Sequence, residues 1–174
     1  MELHHKNHHQ TYVNSFNDAS SKLSEALSKS DPASIQSAIK LQSLVNFHGG
    51  GHVNHTLFWE SLAPKSAGGG EPPSGALAKV IDESFGGLEQ LKGEMNKTLA
   101  GIQGSGWAWL VRDDITGGIM VKPYAVGDLM WQVVAESGMK ANLGVEPRSG
   151  CRIVHAVVGY RRVGTCVLVS LCGL

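Results

Sequence analysis

Seven of the eight histidines in this chain fall in two short clusters. His4, His5, His8 and His9 lie in the first dozen residues, which close on Tyr12. His48, His52 and His55 lie in the second, which runs through Gly49-Gly50-Gly51 and ends on Phe58-Trp59. Neutral imidazole is the commonest side-chain ligand for a transition metal. On a helix, His4 and His8 stand one turn apart, as do His5 and His9, and His48, His52 and His55 share a face. Either pair on the first helix could bind a metal, and spacing does not choose between them. The bland alternative is a set of solvated or core-capping histidines. Tyr12 stands two turns beyond His4, where it could give a proton to metal-bound solvent or simply fill a core. Trp59, Trp107 and Trp109 could wall a dry pocket, although aromatics at such spacing are more often plain core.

Positioning such a cluster needs helices, and the chain supplies them. Residues 1 to 27 contain no glycine or proline, and apolar residues recur at Leu3, Tyr12, Val13, Phe16, Leu23 and Leu27. Ser30-Asp31-Pro32 predicts a break, with Asp31 as N-cap and Pro32 at the first helical position. Ile35, Ile39, Leu41, Leu44 and Val45 mark the apolar face of a second helix. Three successive glycines inside it cost about 1 kcal/mol each relative to alanine, so Gly49 to Gly51 predict a kink or a close backbone approach. Residues 63–75, with Pro64, Gly68-Gly69-Gly70 and Pro72-Pro73, form a linker. Two more helices follow, with faces Leu77, Val80, Ile81, Phe85 and then Leu88, Leu91, Met95, Leu99, Ile102, separated by Gly86-Gly87. The period then becomes two. Trp107, Trp109 and Val111, a turn at Asp113 to Gly118, and Ile119 and Val121 predict a β-hairpin.

Composition excludes several classes. Fifteen basic and fifteen acidic side chains cancel, without a basic stripe, so nucleic acid is not a predicted partner. No apolar run reaches the roughly 18 residues of a membrane span, and no membrane partner is predicted. The His-rich start is neither a signal peptide nor an Arg-rich transit peptide, so the compartment stays unknown from the chain. The three cysteines, Cys151, Cys166 and Cys172, show neither a disulfide framework nor zinc spacing. No phosphate-binding glycine loop and no hydrolase or zinc-protease motif is present.

The clustered segments resemble the iron/manganese superoxide dismutase family. Leu3-His4-His5-Lys6-Asn7-His8-His9-Gln10-Thr11-Tyr12 is similar to its first helix. His48 to Trp59 is similar to its second ligand-bearing helix. Gly68-Gly69-Gly70-Glu71-Pro72 and Gly101 to Leu110 are similar to its linker and first strand. The resemblance implies an α+β fold, an N-terminal helical hairpin followed by an α/β domain with a small antiparallel sheet. It implies His4 and His55 as metal ligands, His8 and Tyr12 as catalytic groups beside the metal, and Trp59 and Trp107 as pocket walls. Gly51 and Gln103 resemble the manganese branch, so the implied cofactor is manganese ahead of iron. The implied partners are superoxide and further copies of the chain. The implied compartment is the mitochondrial matrix or the cytoplasm. The implied reaction is disproportionation of superoxide to dioxygen and hydrogen peroxide.

The resemblance covers residues 1 to 125. It begins inside the family's first helix, which implies a chain shortened at its start. The family's later Asp-x-Trp-x-His motif, the source of two further ligands, has no counterpart; Cys151 and Ile153 stand where its Asp and Trp should. The predicted organisation is a hairpin over residues 1–62, a linker over 63–75, a partial α/β domain over 76–125 and a tail outside the family over 126–174. Without a full tail, a third strand and the last helices are not expected to form. The competing function is a catalytically inactive remnant that binds metal weakly through His4 and His55, or associates with intact subunits.

Overall fold

The computed structural model describes residues 1–113, 116, 118–125, 151–153 and 159–160, the last two segments as backbone. Two compact units emerge, Met1–Thr56 and a second built mainly on Leu57–Ala125.

The first unit opens with a π-helical turn, His4–His9, which runs into α1 (Gln10–Leu27). The second long helix, α2 (Pro32–Glu60), starts where the sequence predicts. Asp31 accepts from the backbone N–H of Ser34 at 3.0 Å and from its hydroxyl at 2.6 Å, which satisfies an N–H that has no intrahelical partner. These bonds hold the Asp31 carboxyl below its ordinary range. The α2 helix stays helical through Gly49 to Gly51. The close-approach reading is the one realised: a Cβ on Gly49 would sit 3.0 Å from the Phe16 ring, and one on Gly51 would overlap the Tyr12 ring.

The predicted apolar face of α2 is not a core in the single chain. Ile35, Ile39 and Leu44 are 55, 67 and 48% exposed. Residues buried along the π turn, α1 and α2 include the small Ala19, Ala26 and Ala38, and the polar His9, Asn54 and His55. Two helices in contact cover only one stripe of each other, and here that stripe carries the histidines.

In the second unit, a short 3-10 turn, Lys65–Ala67, leads to α3 (Gly75–Phe85) and α4 (Leu88–Gly101). Gly86 ends α3 in the left-handed region at φ 84°, a conformation glycine adopts without strain. β1 (Gly106–Asp113) and β2 (Ile119–Ala125) then pair antiparallel, Gly106 opposite Ala125 through Arg112 opposite Ile119. The turn is closed by Asp113 N–H on the Gly118 carbonyl at 2.8 Å. Leu77, Ile81, Leu91, Met95 and Leu99 from the helices pack with Ala108, Leu110 and Ile119 of the sheet, flanked by Val80, Phe85, Leu88, Ile102 and Val121. The two predicted helical faces thus form one core. The other face of β1 is buried as well: Trp107 and Trp109 are inaccessible and stack 5.8 Å apart at 19°.

Where the sequence predicts no third strand, the structure pairs two short segments with β1. β3 (Cys151–Ile153) lies opposite Val111 to Asp113 and β4 (Gly159–Tyr160) opposite Trp107 and Ala108. A fully buried strand cannot leave a row of backbone N–H and C=O groups unmet, and these segments meet part of that row. The rest of the predicted tail, with Asp128, His155, the last helices and the apolar end, lies outside the described residues. The two units part within α2, whose last turn carries Phe58 and Trp59, and within the second unit Phe58 lies 6.1 Å from Trp107.

Candidate metal centre

A π-helical turn is wider than an α-helical one, because its hydrogen bonds run from residue i to i+5. The Gln10 N–H reaches back to the His5 carbonyl in this way. At roughly 80° per residue instead of 100°, His4, His8 and His9 come to one side of the helix. In a regular α-helix His9 would turn away. The sequence treats His4/His8 and His5/His9 as rival pairs. The structure instead brings one member of the second pair, His9, to the same side as the first.

Three imidazoles converge. His55 Nε2 lies 3.0 Å from His8 Nδ1 and 3.1 Å from His4 Nε2. Among the described residues, His4, His8 and His55 form the group whose ligand atoms all lie within 4.8 Å of one another. His55 is fully buried, and His4 and His8 are half-buried. The predicted ligands His4 and His55 therefore do face each other across the hairpin, and His8 joins them as a third nitrogen.

His55 is oriented by its own helix. Its Nδ1 lies 2.6 Å from the Gly51 carbonyl. A carbonyl only accepts, so Nδ1 carries the proton and Nε2 the lone pair, the tautomer a metal ligand needs. Burial pushes the His55 pKa down to about 3, with His8, His4 and His9 also opposing a charge. Burial likewise lowers His4, assisted by His8 and the N-terminal amine. Both rings are neutral at pH 7 and available as ligands.

The donor set fits a metal cation. One lone pair on His55 Nε2 serves two neighbouring nitrogens poorly, whereas a cation among them uses all three. With metal–nitrogen bonds of about 2.1 Å, ligand nitrogens at right-angled to tetrahedral positions sit about 3.0–3.4 Å apart, which the two observed separations meet. Among the described residues no carboxylate or thiol belongs to this group.

Tyr12 stands against the cluster, its ring 5.3 Å from that of His8 and 5.2 Å from that of His55. The clearance at Gly51 lets it sit there. His9 is buried, stacks on His55 at 5.2 Å and 15°, and pairs with His52 at 2.8 Å between His9 Nε2 and His52 Nδ1. Sequence reasoning noted both histidines without pairing them; only the width of the π turn could have revealed it. His48 lies beside Phe47 at 5.2 Å and beside Tyr12 at 6.2 Å. Trp59 and Trp107 lie in the second unit, both against Phe58, at 4.7 and 6.1 Å.

The alpha-hairpin domain of iron/manganese superoxide dismutases matches residues 1–63, and the C-terminal domain of the same family matches residues 73–134. The chain is 55% identical over 121 residues to the mitochondrial manganese superoxide dismutase of Saccharomyces cerevisiae, covering 67% of this chain and 52% of that protein. It is 50% identical over 113 residues to mitochondrial manganese superoxide dismutase 1 of Arabidopsis thaliana, covering 65% and 48%. The Schizosaccharomyces pombe mitochondrial manganese enzyme is 51% identical over 115 residues, covering 65% and 50%. The chain spans about half the length of these curated relatives. Two domains of one family, matched in chain order across most of the sequence, leave a single assignment: the chain belongs to the iron/manganese superoxide dismutase family.

Proposed function

We propose that this chain disproportionates superoxide to dioxygen and hydrogen peroxide at a manganese ion held by His4, His8 and His55. The observation that carries this reading is the convergence of His4 and His8 on His55 Nε2, at 3.1 and 3.0 Å. The relatives are named manganese enzymes, which supports manganese ahead of iron. Bound there, manganese supplies the one-electron exchange that superoxide needs in both directions. The protein's own work is narrower. The Gly51 carbonyl holds the His55 proton on Nδ1 and so aims Nε2 at the site. Burial keeps His55 uncharged and its Nε2 lone pair free for a cation. Tyr12, beside the cluster, is the group that passes protons to the product. Trp59 and Trp107 carry over as pocket walls on family resemblance alone.

The exposed Leu27, Ile35, Ile39 and Leu44 support self-association through the hairpin, with a second copy as the partner. The mitochondrial names of the relatives support the matrix as compartment. No helix among the described residues is long and apolar enough to cross a membrane. The convergent rings and the comparisons favour the enzyme over an inert remnant.

The test is a superoxide assay on the purified chain after loading with manganese, beside His55→Ala. Manganese-dependent turnover that disappears in the variant supports the proposal. A chain that binds manganese and leaves superoxide decay unchanged overturns it in favour of the remnant.

A further inference from the structure

The His55 ring is held at its edge by the Gly51 carbonyl, at 2.6 Å from Nδ1, and met on its face by His9. The second contact is an offset stack, with ring centroids 5.2 Å apart and planes 15° from parallel. His9 is in turn gripped from α2. Its Nε2 lies 2.8 Å from Nδ1 of His52, where one ring nitrogen donates and the other accepts. The same two rings stack at 5.1 Å and 28°. The contacts thus run from His52 on α2 to His9 on the π turn, and from there back to His55 on α2.

A ligand ring must be held within about 10–20° of its productive orientation. One hydrogen bond along an edge leaves an imidazole free to rock about that bond. A near-parallel ring against its face resists the rocking, provided that ring does not turn itself. The bond to His52 resists the turning of His9. We propose that His52 is a positioning residue for the metal centre: through His9 it fixes the plane of the His55 ring, and so the aim of Nε2. This rests on the reading of His55 as a ligand. His52 itself stands outside the His4/His8/His55 group, so it acts through His9 and not on the metal.

Two substitutions separate the bond from the bulk. His52→Asn puts an amide atom where Nδ1 stands, since both are bonded to Cγ, and keeps a partner for His9. His52→Leu puts a methyl group there. NMR on the metal-free full chain follows exchange of the His55 Nδ1 proton with water. In His52→Leu it is expected to be at least ~5-fold faster than in wild type, the weight of about one hydrogen bond. His52→Asn is expected to restore most of the protection, with the α2 backbone amides at wild-type rates in both. Manganese dialysis of the same variants is expected to show at least ~10-fold weaker binding for leucine and near-normal binding for asparagine, as for the supporting partners of other metal ligands. Wild-type exchange or wild-type manganese affinity in His52→Leu overturns the proposal. So does equal acceleration at the α2 amides, which marks general loosening, or a His52→Asn that protects no better than leucine. The exchange readout needs neither metal nor superoxide. A wild-type chain that binds no manganese or leaves superoxide untouched strikes the proposed function, and the exchange rates still decide the role of His52.

Discussion

The Nδ1 of His55 lies 2.6 Å from the carbonyl of Gly51, one turn earlier in α2. This contact joins two requirements at one residue. The Gly51 carbonyl sets the His55 tautomer, and its missing side chain makes room for the Tyr12 ring. A candidate ligand and a candidate proton donor thus depend on the same glycine.

Gly51→Ala pits two effects against each other. Helix propensity alone favours alanine by about 1 kcal/mol. Overlap with the Tyr12 ring is overpacking, which costs typically about 1–3 kcal/mol. The net expectation is destabilisation of up to about 2 kcal/mol, read as a lower urea midpoint. The penalty should shrink in the Tyr12→Ala background, because the clashing ring is gone. A single variant more stable than wild type would contradict the clash.

Removing a ligand should empty the centre without unfolding the hairpin. His4→Ala, at a half-buried position, is expected to lower manganese affinity by ~100-fold or more, since changes to mere supporting partners already cost 10–100-fold. Dialysis followed by metal analysis measures it. Stoichiometric manganese in both His4→Ala and His55→Ala would remove these residues from the centre.

Acid should destabilise the metal-free chain through its buried histidines. The folded-state pKa is about 4 for His9 and about 3 for His55, against 6.5 for the unconstrained side chain. Above pH 6.5 both rings are neutral folded and unfolded, so the full stability is present. Below it the unfolded chain takes up protons that the folded chain refuses, and stability falls until pH reaches the folded values. Urea midpoints should therefore drop steadily from pH 7 to pH 4. A midpoint that stays flat or rises over this window contradicts the burial of these rings.

Asp31→Ala removes both bonds to Ser34 and leaves an N–H of α2 without its cap. The expected result is a lower midpoint than wild type, measured by thermal or urea denaturation at pH 7. Asp31→Asn, which keeps an accepting oxygen, should recover most of the loss. If the alanine variant matches wild type, the cap contributes nothing.

Local chemistry was legible from the chain. The break at Asp31-Pro32, the end of α3 at Gly86, and the turn from Asp113 to Gly118 each follow from one or two residues with narrow backbone preferences. The core of the second unit was legible too, since Leu77, Ile81, Leu91, Met95 and Leu99 recur at helical spacing and need only meet a sheet. The α2 face at Ile35, Ile39 and Leu44 misled. Periodicity reports that a face is apolar, not whether the same chain covers it. The segments at Cys151 and Gly159 lie outside any readable strand pattern and gained their pairing from the open edge of β1.

By itself, then, the sequence determined that histidines on two helices would meet, because glycines at positions 49 to 51 and a capped break at Asp31 permit a close antiparallel hairpin. Only the tertiary structure decided which histidines act together. Their grouping depends on the extra width of the π turn, on the one stripe that two helices bury, and on a single carbonyl that sets one ring's tautomer. Those are properties of backbone geometry summed over a turn, and no residue type in that turn announces them.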